Sequence, residues 1–444
     1  MKTKKIIIGL EVHIELRTDS KMFCGCPANH FGQEPNTQTC PVCLGWPGAL
    51  PVPNRKAIEW TILLGLALGG EIQKFSRFDR KNYFYPDLPK GYQISQYEQP
   101  FILRGKVVLD KGKEIRLRRV HLEEDTGKLL HQKIEGEDWT LIDFNRSGVA
   151  LVEIVSEPDL NTSDEAKEYL EKLHQLVRYL EISDADMEKG SMRLEPNVNL
   201  EIEDKGKLYF TPVVEIKNIN SFRFAKRAID YEVERQFRVF KEKRMEKTKG
   251  NKETRGWDED KGVTVPQRIK EEASDYRYFP EPDIPPIEWT AEQLRIFQLR
   301  IAKYELPGKK KERFIEEYGL SEYQAKILTA EKEMADFFEA TVKLGKEKNL
   351  SPNEIANVII NKRAPKGLSA AELANFIASS KQKVEISPAE LEQAIKKAIL
   401  KNPGAVEAYK KGKPQALGAI VGRVREKTGV VVSIEEIIKR MESD

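Results

Sequence analysis

The chain has 444 residues, 40% of them hydrophobic and 33% charged, which is too long for one ordinary core and points to two or three domains at about 150 residues each. No apolar run approaches the roughly 20 residues of a membrane-spanning helix, and the basic start is followed only by Ile6–Leu10 before Glu11, too short for a secretory signal; the expectation is a cytoplasmic protein with no membrane partner. Net charge is only +3, but from residue 295 onward 28 Lys and Arg stand against 21 Asp and Glu, a basic tail suited to nucleic acid or simply a solvated helical face.

Residues 4–16, KKIIIGLEVHIEL, alternate strictly. As a strand they put Ile6, Ile8, Leu10, Val12, Ile14 and Leu16 on one face and Glu11, His13 and Glu15 on the other. That polar face reads either as an edge turned to water or as a set of ligands. All four cysteines follow as Cys24-x-Cys26 and Cys40-x2-Cys43, set among Pro and Gly. Two close thiol pairs on a short loop match a tetrahedral structural zinc site with no open position; a redox pair with two incidental thiols is the other reading.

A helix over 55–69 stops at Gly69-Gly70. Residues 77–100 then interleave Arg77, Arg80, Lys81 and Lys90 with Tyr83, Phe84, Tyr85 and Tyr92, between breaks at Pro86, Pro89 and Gly91. Cations among aromatics suit a nucleotide or an RNA end; a loop packed by its own rings would look the same. In HLEEDTGK (121–128), period-2 alternation sets His121, Glu123 and Asp125 against Leu122 and Glu124. So many carboxylates need a cation, magnesium being the natural one, or else solvent. Glu153 interrupts the apolar run 150–155, a costly place for an unpaired acid, and Glu188, Ser191, Arg193, Asn197, Asn199, Glu215, Lys217, Asn218 and Asn220 repeat polar residues on strands, as the floor of a polar cavity would. The long helix over 221–247 is expected to wall it, and basic side chains in 252–283 to neutralise phosphate. From Trp289 on, six spacings of the capping-box type, beginning Thr290/Gln293, Ser321/Gln324 and Ser351/Glu354 and ending Ser433/Glu436, announce an all-helical tail.

Taken together, GLEVHIEL (9–16), the four cysteines, YFYPDLPKGYQISQ (83–96), HLEEDTGK, DFNRSGVALVEIVSEPD (143–159), SDADMEKGSMRLEPNVN (183–199), EIKNINSF (215–222) and DYRYFPEPD (275–283) closely resemble the B subunit of the bacterial aspartyl/glutamyl-tRNA amidotransferase, the GatB family. The resemblance runs from residue 6 to about 440. It implies an α+β architecture: a mixed-sheet catalytic domain over 1–290 with a zinc motif at 24–43, a helical linker bundle over 291–365, and a helical tRNA-binding tail over 366–444. It also implies a glutamine-hydrolysing ligase whose GatB component uses ATP to phosphorylate the side-chain carboxylate of misacylated Glu-tRNA(Gln) or Asp-tRNA(Asn). Ammonia would come from a partner amidase subunit, with a small third subunit completing a heterotrimer.

On the matching positions, the resemblance assigns catalysis to Glu11, His13, Glu124, Glu153 and Lys217, and ATP contacts to Arg193, Arg255, Lys270 and Glu188. Magnesium falls to Glu11, His13, Glu123 and Glu124, with Glu124 the first choice, Glu123 turned instead toward the ammonia route, and His121 and Asp125 in support. Zinc falls to Cys24, Cys26, Cys40 and Cys43. The sequence departs from the family pattern at Ala150, where proline is usual, at Glu195, where a shorter acid is usual, and in a short stretch between Ser369 and Asn402. A zinc-stabilised tRNA-binding module is the competing class, and the strand acids Glu11, Glu124, Glu153 and Glu215 speak against it because they would repel phosphate.

Overall fold

The alternating run at the start becomes a 14-residue strand, β1 (Lys2–Glu15), in a computed structural model that describes residues 1–269, 276–381, 387–412, 414–428 and 432–441. Among the described residues β1 belongs to an eleven-stranded sheet, whose main path holds eight further strands: β2 (Glu71–Ile72), β3 (Ile102–Leu103), β4 (Glu114–Glu124), β5 (Ala150–Ser156), β6 (Met192–Asp204), β7 (Val214–Lys217), β8 (Glu253–Asp258) and β9 (Val263–Ile269). Their spatial order is β9-β8-β7-β6-β1-β5-β4-β3-β2. Neighbours are antiparallel except β7 and β8, which run parallel, so the sheet is mixed.

Register decides what faces what. His13 pairs across with Glu153 on β5 and Arg193 on β6, Glu153 with His121 and Leu151 with Glu123 on β4, Glu11 with Glu195, and Asn197 with Glu215 on β7. Because side chains alternate with period 2, these polar groups share one face. The other face carries Leu10, Val12, Ile14, Leu122, Val152, Leu194, Val198 and Ile216, all buried in one core with residues of three helices: α1 (Arg55–Ala67), α2 (Ser163–Tyr179) and α3 (Phe222–Lys243). At about 1.5–3 kcal/mol for each fully buried aliphatic side chain, this face holds the sheet against the helices and leaves the polar face free for chemistry.

The helix expected to wall the cavity lies behind its floor. Phe224, Ala225, Ala228 and Ile229 of α3 enter the same core as Val198, Val214 and Ile216, which places α3 on the apolar side of β6. Its last turn ends at Arg244 in a left-handed conformation (φ 52°), shortening it from the expected end at 247.

The chain divides into two units, Met1–Lys309 and Lys310–Asp444. The first extends past the expected limit at 290 because the helix Ala291–Ile301 belongs to it: Phe297 joins the first core, and Arg300 Nη1 donates to Glu59 Oε2 of α1 at 2.8 Å. In the second unit, Phe314, Phe338, Ile355, Leu373 and Ile377 share one core, and Ile395, Leu417, Ile420, Val424 and Ile437 a second. The helices of residues 352–360 and 370–381 thus lie on either side of the division expected at 365 but meet in one core. Reciprocal capping boxes form at Thr290, Ser321, Ser351, Ser369 and Ser387, and at Ser433 the hydroxyl accepts from the Glu436 N–H. No helix among the described residues is long and apolar enough to cross a membrane.

Candidate active site and metal centres

Three central strands bring four ionisable side chains to one point on the polar face. His13 Nε2 lies 3.5 Å from Glu153 Oε2 and 3.8 Å from Glu123 Oε1. His121 Nε2 stands 3.1 Å from the same Glu153 oxygen and 3.7 Å from Glu123 Oε2, and Ser95 Oγ donates to Glu123 Oε2 at 2.9 Å. One donor atom each from His13, Glu123 and Glu153 fall within 4.8 Å of one another. Two carboxylates with one imidazole are hard oxygens plus a borderline nitrogen, a set that fits magnesium or manganese. His13 Nδ1, Arg193 Nε and Asn197 Oδ1 are buried on this floor without a hydrogen-bond partner among the described residues, as expected where a polar ligand completes the site.

Burial opposes charge on all of these groups, and pairing overcomes it. Glu153 is held well below the usual carboxylate range by the two imidazoles, and Glu123 is lowered by the His121 hydrogen bond and the Lys81 charge. In return the carboxylates raise His121 and lift His13 to about 9, Glu153 contributing most. Without a metal, His13 is therefore an imidazolium held between the Glu153 and Glu123 carboxylates.

The floor opens into a cleft of about 2050 Å³. On one side, Tyr97 and Tyr278 stack at 4.3 Å, and the Lys81 ammonium lies 5.1 Å from the Tyr276 ring and 5.8 Å from that of Tyr83. Burial again opposes the Lys81 charge, but Tyr278 and the carboxylates of Glu123 and Glu153 more than offset it and hold the amine above its ordinary range. Arg119 Nε donates to His121 Nδ1 at 3.3 Å, and its guanidinium sits 5.5 Å from the Tyr97 ring. Across the floor, Lys217 Nζ bridges Glu195 (2.8 Å) and Glu215 (3.1 Å), while Arg193 Nη2 meets Asp125 Oδ2 at 2.5 Å.

Of the expected site residues, His13, Glu123, Glu153, Arg193 and Lys217 come together on this cleft. Glu11 faces it as well but lies two positions along β1 from His13 and accepts from Asn197 Nδ2 at 3.0 Å, outside the donor group. Glu124, the first choice for magnesium, is on the wrong side of β4. Its carboxylate is committed to the Lys90 ammonium and to the Ile94 N–H at 2.9 Å, beside a small cavity shared with Cys24 and Cys43. Adjacent residues of a strand point to opposite faces, so Glu123 takes the cleft position and Glu124 cannot.

Arg255 likewise points behind the sheet. Its Nε donates to Thr264 Oγ1 at 2.9 Å and its Nη2 to the Thr264 carbonyl at 2.8 Å, next to the buried Glu232 of α3. Glu188 is exposed on a turn where its N–H donates to Asp186 Oδ1 at 3.0 Å, away from the cleft. Lys270 and the tail's Lys413 lie outside the described residues. Lys81 was expected only as one of the loop cations of residues 77–100 and not among the assigned site residues, and Arg119 was not expected at all. The cation-aromatic alternation of residues 80–85 was the available signal for Lys81; nothing local distinguished Arg119 from the neighbouring Arg116 and Arg118.

The second donor group is the cysteine set. All four Sγ atoms lie within 4.8 Å of one another, Cys40 and Cys43 at 3.9 Å. A tetrahedral zinc with bonds of about 2.3 Å needs sulfurs about 3.8 Å apart, so the four thiols fit a metal such as zinc. Hydrogen bonds from Cys24, and then from the Cys40 N–H and the Lys21 charge, lower the Cys43 thiol against the effect of burial, whereas burial pushes Cys26 up to about 11.

With this geometry in hand, similarity to known proteins is decisive. Residues 6–295 match the family described as GatB/GatE catalytic domain, and residues 334–433 match the GatB domain. The chain belongs to the GatB family. Proteins named as the B subunit of aspartyl/glutamyl-tRNA(Asn/Gln) amidotransferase are 44% identical in Caldanaerobacter subterraneus and in Thermotoga maritima, each over 95% of both chains. The one from Thermomicrobium roseum is 52% identical over 76% of this chain and 68% of its own length. As a member of this family, the chain is a component of a tRNA-dependent amidotransferase of the glutamine-hydrolysing ligase type.

Proposed function

We propose that this chain carries out the carboxylate-activating half of transamidation: ATP-dependent phosphorylation of the side-chain carboxylate of misacylated Glu-tRNA(Gln), Asp-tRNA(Asn) or both, followed by attack of ammonia supplied by a partner amidase. The observation that carries this reading is the His13–Glu123–Glu153 donor group on the floor of a cleft walled by cations and aromatic rings. In the first step a substrate carboxylate oxygen bonds to the γ-phosphorus as the bond to the ADP oxygen breaks. In the second, the ammonia nitrogen bonds to the acyl carbon, inorganic phosphate leaves, and nitrogen loses a proton to give the neutral amide.

Phosphoryl transfer asks for positioning and charge neutralisation more than for covalent chemistry. His13, Glu123 and Glu153 would hold magnesium, which when bound neutralises developing phosphate charge. His121 and Ser95 fix the Glu153 and Glu123 carboxylates for that task. Lys81, charged and without an ion-pair partner among the described residues, is placed to meet phosphate oxygens. Arg193 helps keep Asp125 ionised, and Lys217, bridging Glu195 and Glu215, helps set the polar floor. The stacked Tyr97 and Tyr278 offer flat faces for a base. The basic helical unit would grip tRNA, with the amidase and a small third subunit as partners in the assembly.

The test is amide formation from ammonium chloride, ATP and misacylated tRNA by the assembled complex, which bypasses glutamine hydrolysis. Glu123→Gln and His13→Ala should each lower the rate about 10²-fold or more, with glutamine hydrolysis by the amidase retained. Wild-type rates in both variants would remove the reading.

A further inference from the structure

Lys21 is fully buried, yet among the described residues no carboxylate lies within 4 Å of its ammonium. Its three acceptors are the Gln38 carbonyl at 2.7 Å, the Phe144 carbonyl at 3.4 Å and Cys43 Sγ at 3.7 Å. The strand acid Glu124, which like Lys21 lies close to Gly148, is occupied by Lys90. A buried ammonium without an anion is among the most costly groups a protein can hold, so a negative partner is required, and the cysteine cluster is the one in contact. Four thiolates around a divalent metal carry two excess negative charges in a partly buried loop. The Cys40 N–H, which donates to Cys43 Sγ at 3.2 Å, supplies a dipole to the same sulfur but no charge.

The same side chain spans two parts of the fold. Its bond to Phe144 is one of several ties between the cysteine loop and the turn 144–148, which include Met22 N–H to the Gly148 carbonyl at 2.7 Å, Ser147 Oγ to the Cys43 carbonyl at 3.2 Å and Gln38 N–H to Asn145 Oδ1 at 2.8 Å. That turn in turn holds Asp125, through Gly148 N–H to the Asp125 carbonyl at 2.9 Å and Asp125 N–H to the Val149 carbonyl at 2.8 Å. Asp125 then orients Arg193 in the cleft. Gly148 adopts φ +86°, and a Cβ there would meet Cys43 Cβ at 3.3 Å, so the turn seats directly on the cysteine loop.

We infer that the Lys21 ammonium is the counter-charge of a four-thiolate metal centre and pins that centre to the turn that positions Asp125. The inference rests on the cysteines binding zinc, so the full-length wild-type chain is assayed for metal first; a wild type purified without zinc overturns the zinc reading itself and this inference with it. Given zinc, Lys21→Met keeps the length of the side chain and removes its charge. It should release zinc to a chelating dye about 10–100-fold faster. In the cobalt-loaded chain it should also move the thiolate-to-cobalt charge-transfer band to longer wavelength, because thiolates relieved of a neighbouring positive charge give up electron density more readily. A packing defect alone would leave the band where it is. A release rate and band position equal to those of wild type overturn the inference. If Lys21→Met does not fold, ¹⁵N-lysine-labelled wild type decides: a slowly exchanging Nζ resonance that shifts when cadmium replaces zinc supports the inference, and the absence of any metal-sensitive Nζ resonance overturns it.

Discussion

The two donor groups of the first unit were built in opposite ways. The cysteines sit within twenty residues of one loop between β1 and α1, so their spacing is already the chelate. His13, Glu123 and Glu153 come from three strands and meet only because β1, β5 and β4 are neighbours in a set register. Their chemistry differs to match. Four thiols around a zinc would close a tetrahedron and leave no position for substrate, whereas two carboxylates and an imidazole around magnesium would leave positions open and face a cleft of about 2050 Å³. A local chelate stabilises the fold around it, and a long-range one is available for reaction only after the fold exists.

The sharpest way to break this comparison is to remove one cysteine. Metal bound only by the folded form contributes its binding energy to folding, so Cys40→Ser should abolish stoichiometric zinc. It should also lower the midpoint of thermal unfolding by roughly 10 °C or more, as should chelation of the wild type. Calorimetry of the full chain with and without chelator gives the answer, and an unchanged midpoint would mean that the loop is held by its hydrogen bonds alone.

How far the second group could be read beforehand turns on β4. Alternation correctly separated His121, Glu123 and Asp125 from Leu122 and Glu124, and likewise grouped Glu11 with His13 on β1. Which of the two faces would meet substrate was not a local property: it depended on α1, α2 and α3 covering the side of Leu122. Hence the mistaken preference for Glu124. Arg255 failed for a related reason, since a register shift between Thr254 and Arg255 in the β8–β9 pairing and the buried Glu232 of α3 decide its direction, and neither shows in a strand of six residues. The cysteine spacing, the strand alternations and the capping boxes were legible because each is set by neighbours in sequence.

The two acids of β4 therefore give a paired test. Glu124→Gln strands the Lys90 ammonium, whose side chain is only 8% exposed, and breaking a buried pair costs about 3–5 kcal/mol. The urea midpoint should fall while manganese affinity in the cleft holds. Glu123→Gln should do the reverse, weakening manganese about tenfold or more with a smaller change in midpoint. Equal effects of both substitutions on metal affinity would show that the two sides of β4 are not separate environments.

The smallest effect is a pH dependence that takes opposite signs with and without metal. In the metal-free cluster, His13 is raised from 6.5 to about 9, burial being outweighed by Glu153 and the neighbouring acids. A folded-state value above the unfolded one means that His13 contributes stability fully below pH 6.5 and loses it as pH rises through 9. A metal needs the neutral imidazole, so binding must displace that proton and should tighten about tenfold per pH unit between roughly pH 7 and 8.5. Melting curves in chelator should therefore decline across this range while manganese titrations strengthen, with close to one proton released per ion in buffers of different ionisation enthalpy. Binding that ignores pH would take His13 out of the donor set and leave the two carboxylates to hold the ion with oxygen alone.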